Sequence, residues 1–99
     1  MGELEELARV LDALGHVVRL RIVRELARGG EMYLSEVAER VGVSRALAKI
    51  HLKKLERAGL VRSRLVLDEE RGRALRYYRL VPFRVEVSPE RLLEVREDG

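Results

Sequence analysis

No cysteine occurs in this sequence, which excludes disulfides and every metal site built on thiolates. No apolar run approaches the roughly 20 residues that a bilayer-spanning helix requires, so no membrane partner is expected. The opening MGELEELARVL is acidic and amphipathic, unlike a secretory signal or a transit peptide. Gly2 also lacks the downstream Ser or Thr of a myristoylation signal. The expectation is a cytoplasmic protein. Asparagine, glutamine, threonine and tryptophan are missing too, while Arg, Glu, Leu and Val crowd the chain. Loss of thermolabile residues beside many ion-pairing ones resembles thermophile usage and predicts a high melting temperature. Enzyme chemistry finds little support, since no glycine-rich phosphate loop is present. Ser35, Ser44, Ser63 and Ser88 read as helix caps or strand residues, none beside a His at nucleophile–base spacing. Glu69 and Glu70, adjacent in a turn, do not converge on one substrate bond.

What is present is charge, unevenly placed. The 99 residues, read as one domain, carry a net charge of only +3. Yet residues 45–64 hold Arg45, Lys49, Lys53, Lys54, Arg57, Arg62 and Arg64 against a single acid, Glu56. Residues 1–15 hold Glu3, Glu5, Glu6 and Asp12 against Arg9. A cationic strip on a nearly balanced chain points to a polyanion met by one surface.

Apolar spacing organises the chain. Leu4, Leu7, Leu11 and Leu14 predict an amphipathic helix over Glu3 to Leu14. A second helix is expected over Val17 to Ala27, with Leu20, Val23 and Leu26 inward and Arg19, Arg21, Arg24 and Arg28 largely outward. Gly29-Gly30 ends it. Met32-Tyr33-Leu34 is long enough only for a bridging strand. Ser35 is expected to cap a third helix reaching about Val41, with Val37, Ala38 and Val41 inward. Gly42 supplies the turn, Ser44 caps a fourth helix, and Gly59 closes it. From Val61 the period becomes two: Val61, Ser63, Leu65 and Leu67 alternate with Arg62, Arg64 and Val66. Asp68 to Arg73 makes a polar turn, and Ala74 to Val81 returns as a second strand, so 61–81 reads as a hairpin. Beyond Pro82, Phe83 to Val87 is extended. Ser88-Pro89-Glu90 starts a short last helix, within 88–96.

Residues 34–60 then form a helix-turn-helix whose second helix has opposite faces. Leu47, Ala48, His51, Leu52, Leu55 and Ala58 gather on one side, and Arg45, Lys49 and Lys53 form a row on the other. An apolar back with a basic front suits the DNA major groove. Arg45, Lys49 and Lys53 are the first candidates for groove contacts, with Ala46 and Ile50 nearest the base edges and Ser44 at the helix start. Arg binds guanine bidentately, Ala and Ile pack on a thymine methyl, and Lys49 or Lys53 equally suits a phosphate. Lys54 and Arg57 are further candidates. Arg71 and Arg73 sit at the hairpin turn, where Asp68, Glu69 and Glu70 would repel phosphate unless neutralised. The fold class expected is mainly α with a small antiparallel β-hairpin, a winged helix-turn-helix.

Three stretches carry a family resemblance. LGHVVRLRIVREL resembles the second-helix signature of ArsR-like transcriptional regulators, SRALAKIHLKKLERAGLV their recognition helix and its exit, and RYYRL the end of their second wing strand. The match spans roughly residues 10 to 82. It implies a homodimeric repressor of double-stranded DNA, contacted by the recognition helix and by the wing-tip arginines Arg71 and Arg73. It also implies an interface between first and last helices, carried here onto Leu4, Leu7, Leu11, Leu14, Leu92, Leu93 and Val95. Metal sensors of this kind use Cys pairs in the third helix, or His and carboxylates in a long last helix. This chain has Val37, Ala38 and Glu39 at the former and no His in the latter. His16 and His51 read as structural, helping to begin the second helix and packing behind the fourth, at positions that argue against their pairing. No metal or other cofactor is expected, and no effector is legible. The rival readings are a protein–protein adaptor and a nonspecific architectural DNA binder.

Overall fold

In the computed structural model, which describes residues 2–96, five helices and three strands follow the predicted order. Helix α1 spans Glu3–Leu14, as its leucine spacing requires, and α2 spans Val17–Gly29. Gly30, at φ 76°, ends α2 in a backbone conformation that favours glycine. Strand β1 is only Met32–Tyr33, followed directly by α3, Leu34–Val41. Gly42, at φ 79°, turns the chain toward α4, Arg45–Arg57. The hairpin is β2, Val61–Asp68, and β3, Arg73–Leu80. The last helix, α5, covers Pro89–Glu94, with Ser88 Oγ accepting from Arg91 N at 3.0 Å. Among the described residues no helix is long and apolar enough to cross a membrane.

The sheet is antiparallel in the order β1-β3-β2, so the hairpin gains a third strand on its β3 side. Met32 lies opposite Tyr78, and Ser63 faces Tyr78 from the other edge. Ile22, Leu26, Met32, Val37, Leu52, Leu55, Val61 and Tyr78 form the core where α2, α3 and α4 meet the hairpin root. Each fully buried aliphatic side chain contributes about 1.5–3 kcal/mol through the water it sheds, and this core fixes the orientation of α4.

Several expectations need correction. On α2 the buried residues are Ile22 and Leu26 with Arg19 and Glu25, each only 9% exposed, whereas Leu20 is 52% exposed. Hydropathy alone had placed Arg19 outside, but its guanidinium finds carbonyl partners across the α1–α2 junction. Helix α3 starts one residue before Ser35, so Ser35 lies in its first turn. Glu36 performs the capping instead, its Oε1 accepting from Tyr33 N at 3.4 Å. Alternation along the hairpin reaches the core only as far as Ser63 and Tyr78, and Leu67 is 73% exposed. Arg73 opens β3 opposite Asp68 and leaves Arg71 in the turn. The last helix stops at Glu94, short of Arg96.

Candidate nucleic-acid interface

The start of α4 is fixed by Ser44, whose Oγ accepts from Leu47 N at 3.1 Å and whose carbonyl accepts from Ala48 N at 2.9 Å. This satisfies donors that a helix start leaves unpaired. Ala48, His51, Leu52 and Leu55 are buried behind the helix. Arg45, Ala46, Lys49, Ile50, Lys53 and Arg57 are exposed on its front. Ile50 is 64% exposed, an aliphatic side chain set among cations.

Charge pairing separates these cations from the others. Arg64 donates twice to Glu31, at 3.0 and 2.6 Å, and lies 5.7 Å from the Tyr77 ring centre. The guanidinium holds the Glu31 carboxyl below the usual range, and the pairing raises Arg64 in turn. Arg28 pairs with Glu25 at 3.0 Å and Arg9 with Glu6 at 2.6 Å. Among the described residues Arg45, Lys49, Lys53 and Arg57 form no such ion pair.

Lys54 is placed differently from its neighbour Lys53. Its Nζ lies 2.8 Å from Asp12 Oδ2 on α1, and this hydrogen bond holds the Asp12 carboxyl below its ordinary pKa. At the hairpin tip, Arg71 Nε is 3.7 Å from Asp68 Oδ2, and Arg71 N donates to Asp68 Oδ1 at 3.3 Å. Arg71 thus offsets one of the three turn acids. Arg73 is exposed and forms no ion pair among the described residues.

One cationic residue at this face escaped the sequence reading. Arg76, on β3, points to the same side of the hairpin as Ser63 and donates to Ser63 Oγ at 3.0 Å. Ser63 in turn donates to Glu56 Oε2 at 2.7 Å, linking the hairpin root to α4. The even register of the hairpin was the signal that would have found it.

Behind α4 lies a buried polar cluster. Arg19 donates through Nε to the Ala13 carbonyl and through Nη2 to the Asp12 carbonyl at 3.3 Å. The Ala13 carbonyl is one that the end of α1 would otherwise leave unpaired, while the Asp12 carbonyl also accepts from Gly15 N at 3.2 Å. Arg19 Nη1 lies 3.1 Å from His51 Nδ1. A guanidinium only donates, so His51 must accept there and carry its proton on Nε2. Burial, then the neighbouring His16 and Arg19, push the His51 pKa down. The expectation that the histidines stay apart is wrong: their ring centres are 4.5 Å apart. His16 does begin α2, its Nδ1 accepting from Val18 N at 3.0 Å. Among the described residues no group of three or more His, Asp or Glu is placed to hold a metal.

The residues expected at an interface divide into two sets. Leu14 packs against the core of its own chain. Leu7 and Val95 line one groove, with Val10 and Val85, where the C-terminal segment lies along α1. Arg96 N donates to Glu3 Oε2 at 2.6 Å beside it. Leu4 is half-buried, Leu11 and Leu92 are partly exposed, and Leu93 is 88% exposed.

Residues 14–64 match the family described as helix-turn-helix domain. The chain belongs to this helix-turn-helix family, with the winged fold of ArsR-like proteins. Its fold is similar to the homodimeric winged helix-turn-helix DNA-binding domain of Mb0332 from Mycobacterium bovis, a possible ArsR-family transcriptional regulator. The TM-score is 0.68 at 32% identity, over 78% of this chain and 65% of that one. The chain therefore spans about two-thirds of the Mb0332 fragment. The transcriptional repressor BigR from Xylella fastidiosa is similar at TM-score 0.66 and 28% identity, over 79% of this chain and 72% of that one. Reduced HlyU from Vibrio cholerae gives TM-score 0.66 at 26% identity, covering 79% and 75%. No curated protein sequence matches this regulator.

Proposed function

We propose that this ArsR-like protein is a sequence-specific DNA-binding regulator that acts as a homodimer and represses by occupying its operator. One observation carries the reading. Arg45, Lys49 and Lys53 stand free of internal ion pairs among the described residues, on the front of a helix whose back is locked into the core. Arg45 reads base edges near the helix start, Ala46 and Ile50 pack against them, and Lys49, Lys53 and Arg57 hold the backbone. Arg71 and Arg73 at the wing tip reach the adjacent backbone or minor groove. Lys54, committed to Asp12, carries the smallest share.

A single recognition helix reads few base pairs, so dimers address two half-sites roughly 34–36 Å apart. Leu4, Leu11, Leu92 and Leu93 supply apolar surface toward a second copy, with Leu7 and Val95 beneath them. Homodimer formation by Mb0332 supports the same assembly here. Bound across a promoter, such a dimer denies access to the transcription machinery. No cofactor is needed for this reading.

Gel-shift competition between the protein's own promoter and random DNA tests it. A selective shift is expected, an indifferent shift marks an architectural binder, and no shift marks a protein adaptor. Light scattering should give a dimer at micromolar concentration, and a monomer would rule out the two-half-site arrangement.

A further inference from the structure

Lys49 and Lys53 of α4 and Arg76 of β3 line one cleft together with Glu56, Ser63 and Tyr78. The cleft opens beside the exposed front of the recognition helix, at the hairpin root. Two ammonium groups and one guanidinium therefore surround a space that holds one carboxylate. Glu56 is partly occupied by its hydrogen bond from Ser63, and Arg76 uses only Nη1 on Ser63, leaving its remaining donors free among the described residues. Tyr78, buried at the hairpin root, also lines the cleft.

We infer that this cleft seats one phosphate of the DNA backbone, gripped by Arg76 from the wing and by Lys49 and Lys53 from the recognition helix. The inference rests on the DNA-binding reading above and adds to it a contact from the root of the wing. A planar guanidinium matches two phosphate oxygens, and the two lysines supply point charge at the same place. Because the cations come from two elements, the seat fixes the angle between recognition helix and hairpin when DNA is bound. Glu56 keeps the hairpin latched to α4 through Ser63 in the free protein and opposes the incoming phosphate by charge.

Phosphate contacts are independent of sequence, so a random-sequence duplex is a sufficient probe, read as affinity against salt concentration. Arg76→Ala should weaken binding and lower the salt slope, by at most about 0.9, the value for one neutralised phosphate, because Lys49 and Lys53 still face it. Its melting temperature should stay close to wild type. Arg76→Lys should restore most of the slope. Glu56→Gln keeps an acceptor for Ser63 while removing the charge, and should tighten binding several-fold. An unchanged slope in Arg76→Ala overturns the seat while leaving the DNA reading intact. Failure of Arg76→Lys to restore the slope, or weaker binding by Glu56→Gln, also overturns it. A wild-type protein that binds no duplex at all overturns both.

Discussion

Helices α2 and α4 are each 13 residues long, and each carries several cations among aliphatic residues. Their charges nevertheless do opposite things. On α2, Arg19 turns inward to the carbonyls ending α1 and to His51, while Arg24 and Arg28 lean on Glu25. On α4, the Arg45, Lys49 and Lys53 row forms no ion pair among the described residues, although Glu56 lines the same cleft as Lys49 and Lys53. Cationic composition therefore does not mark an interface. A cation marks one when the fold withholds its internal partner while anchoring the helix that bears it.

The contrast can be broken most severely at Arg19. Arg19→Ala leaves the Ala13 carbonyl and His51 Nδ1 without their donor inside the protein, and should cost about 2–4 kcal/mol of unfolding free energy. Urea unfolding should show the lower midpoint with an unchanged slope. Arg21→Ala, at an exposed position two residues on, should stay within about 0.5 kcal/mol of wild type. Equal effects at both positions would erase the distinction drawn for α2.

On α4 the expected result is reversed. Arg45→Ala should leave thermal unfolding almost unchanged and cost roughly tenfold in affinity for the selected operator, the scale of one bidentate base contact. Most of that loss should disappear when random DNA replaces the operator. A variant that melts early, or that loses both kinds of DNA equally, would place Arg45 outside direct readout.

These asymmetries explain what was readable without coordinates. The helix boundaries of α1 and α4, the Ser44 and Ser88 caps, the hairpin and the basic row depend on residues close in sequence, and period and cap chemistry declare them. Arg19 and Leu20 were exchanged because the partners of Arg19 are backbone carbonyls, which hydropathy does not register. The approach of His16 to His51 depends on how α2 crosses α4, which no local pattern encodes. Tyr33, the last residue of β1, takes the N-cap position of α3, so a strand pairing displaces the Ser35 cap. Arg76 was overlooked as one arginine among many, although Ser63, Leu65, Arg76 and Tyr78 share a hairpin face once the register is known.

A smaller effect joins the buried cluster to pH. The folded-state pKa of His51 lies below its ordinary value. As pH falls below about 6.5, the unfolded chain takes up the proton first and the folded state loses stability. Stability should be level above that range and decline as pH falls through the folded pKa. His51→Gln, which keeps an acceptor for Arg19, should flatten this part of the profile. Asp12 and Glu31, whose pKa values are also lowered, act in a separate window: their contribution is full above the ordinary carboxylate range and lost below about 4. A profile whose neutral-to-mildly-acid decline persists in His51→Gln would remove His51 as its cause.

The finest comparison sets Lys53 against Lys54, adjacent in sequence and identical in chemistry. Helical geometry turns Lys53 to the open front and Lys54 toward α1, where Asp12 meets it at 2.8 Å. Both lysines are exposed, and surface ion pairs contribute little to stability because water screens them, so neither Lys→Ala variant should change the melting temperature appreciably. Salt titration of DNA binding should separate them. Lys53→Ala should flatten the slope, by up to about one unit, and Lys54→Ala by much less. In Lys54→Ala the Asp12 carboxyl should instead titrate closer to its ordinary value, visible by NMR. Equal flattening by the two variants would mean that Lys54 abandons Asp12 for phosphate on binding, so that internal pairing in the free protein does not forecast which cations face the duplex.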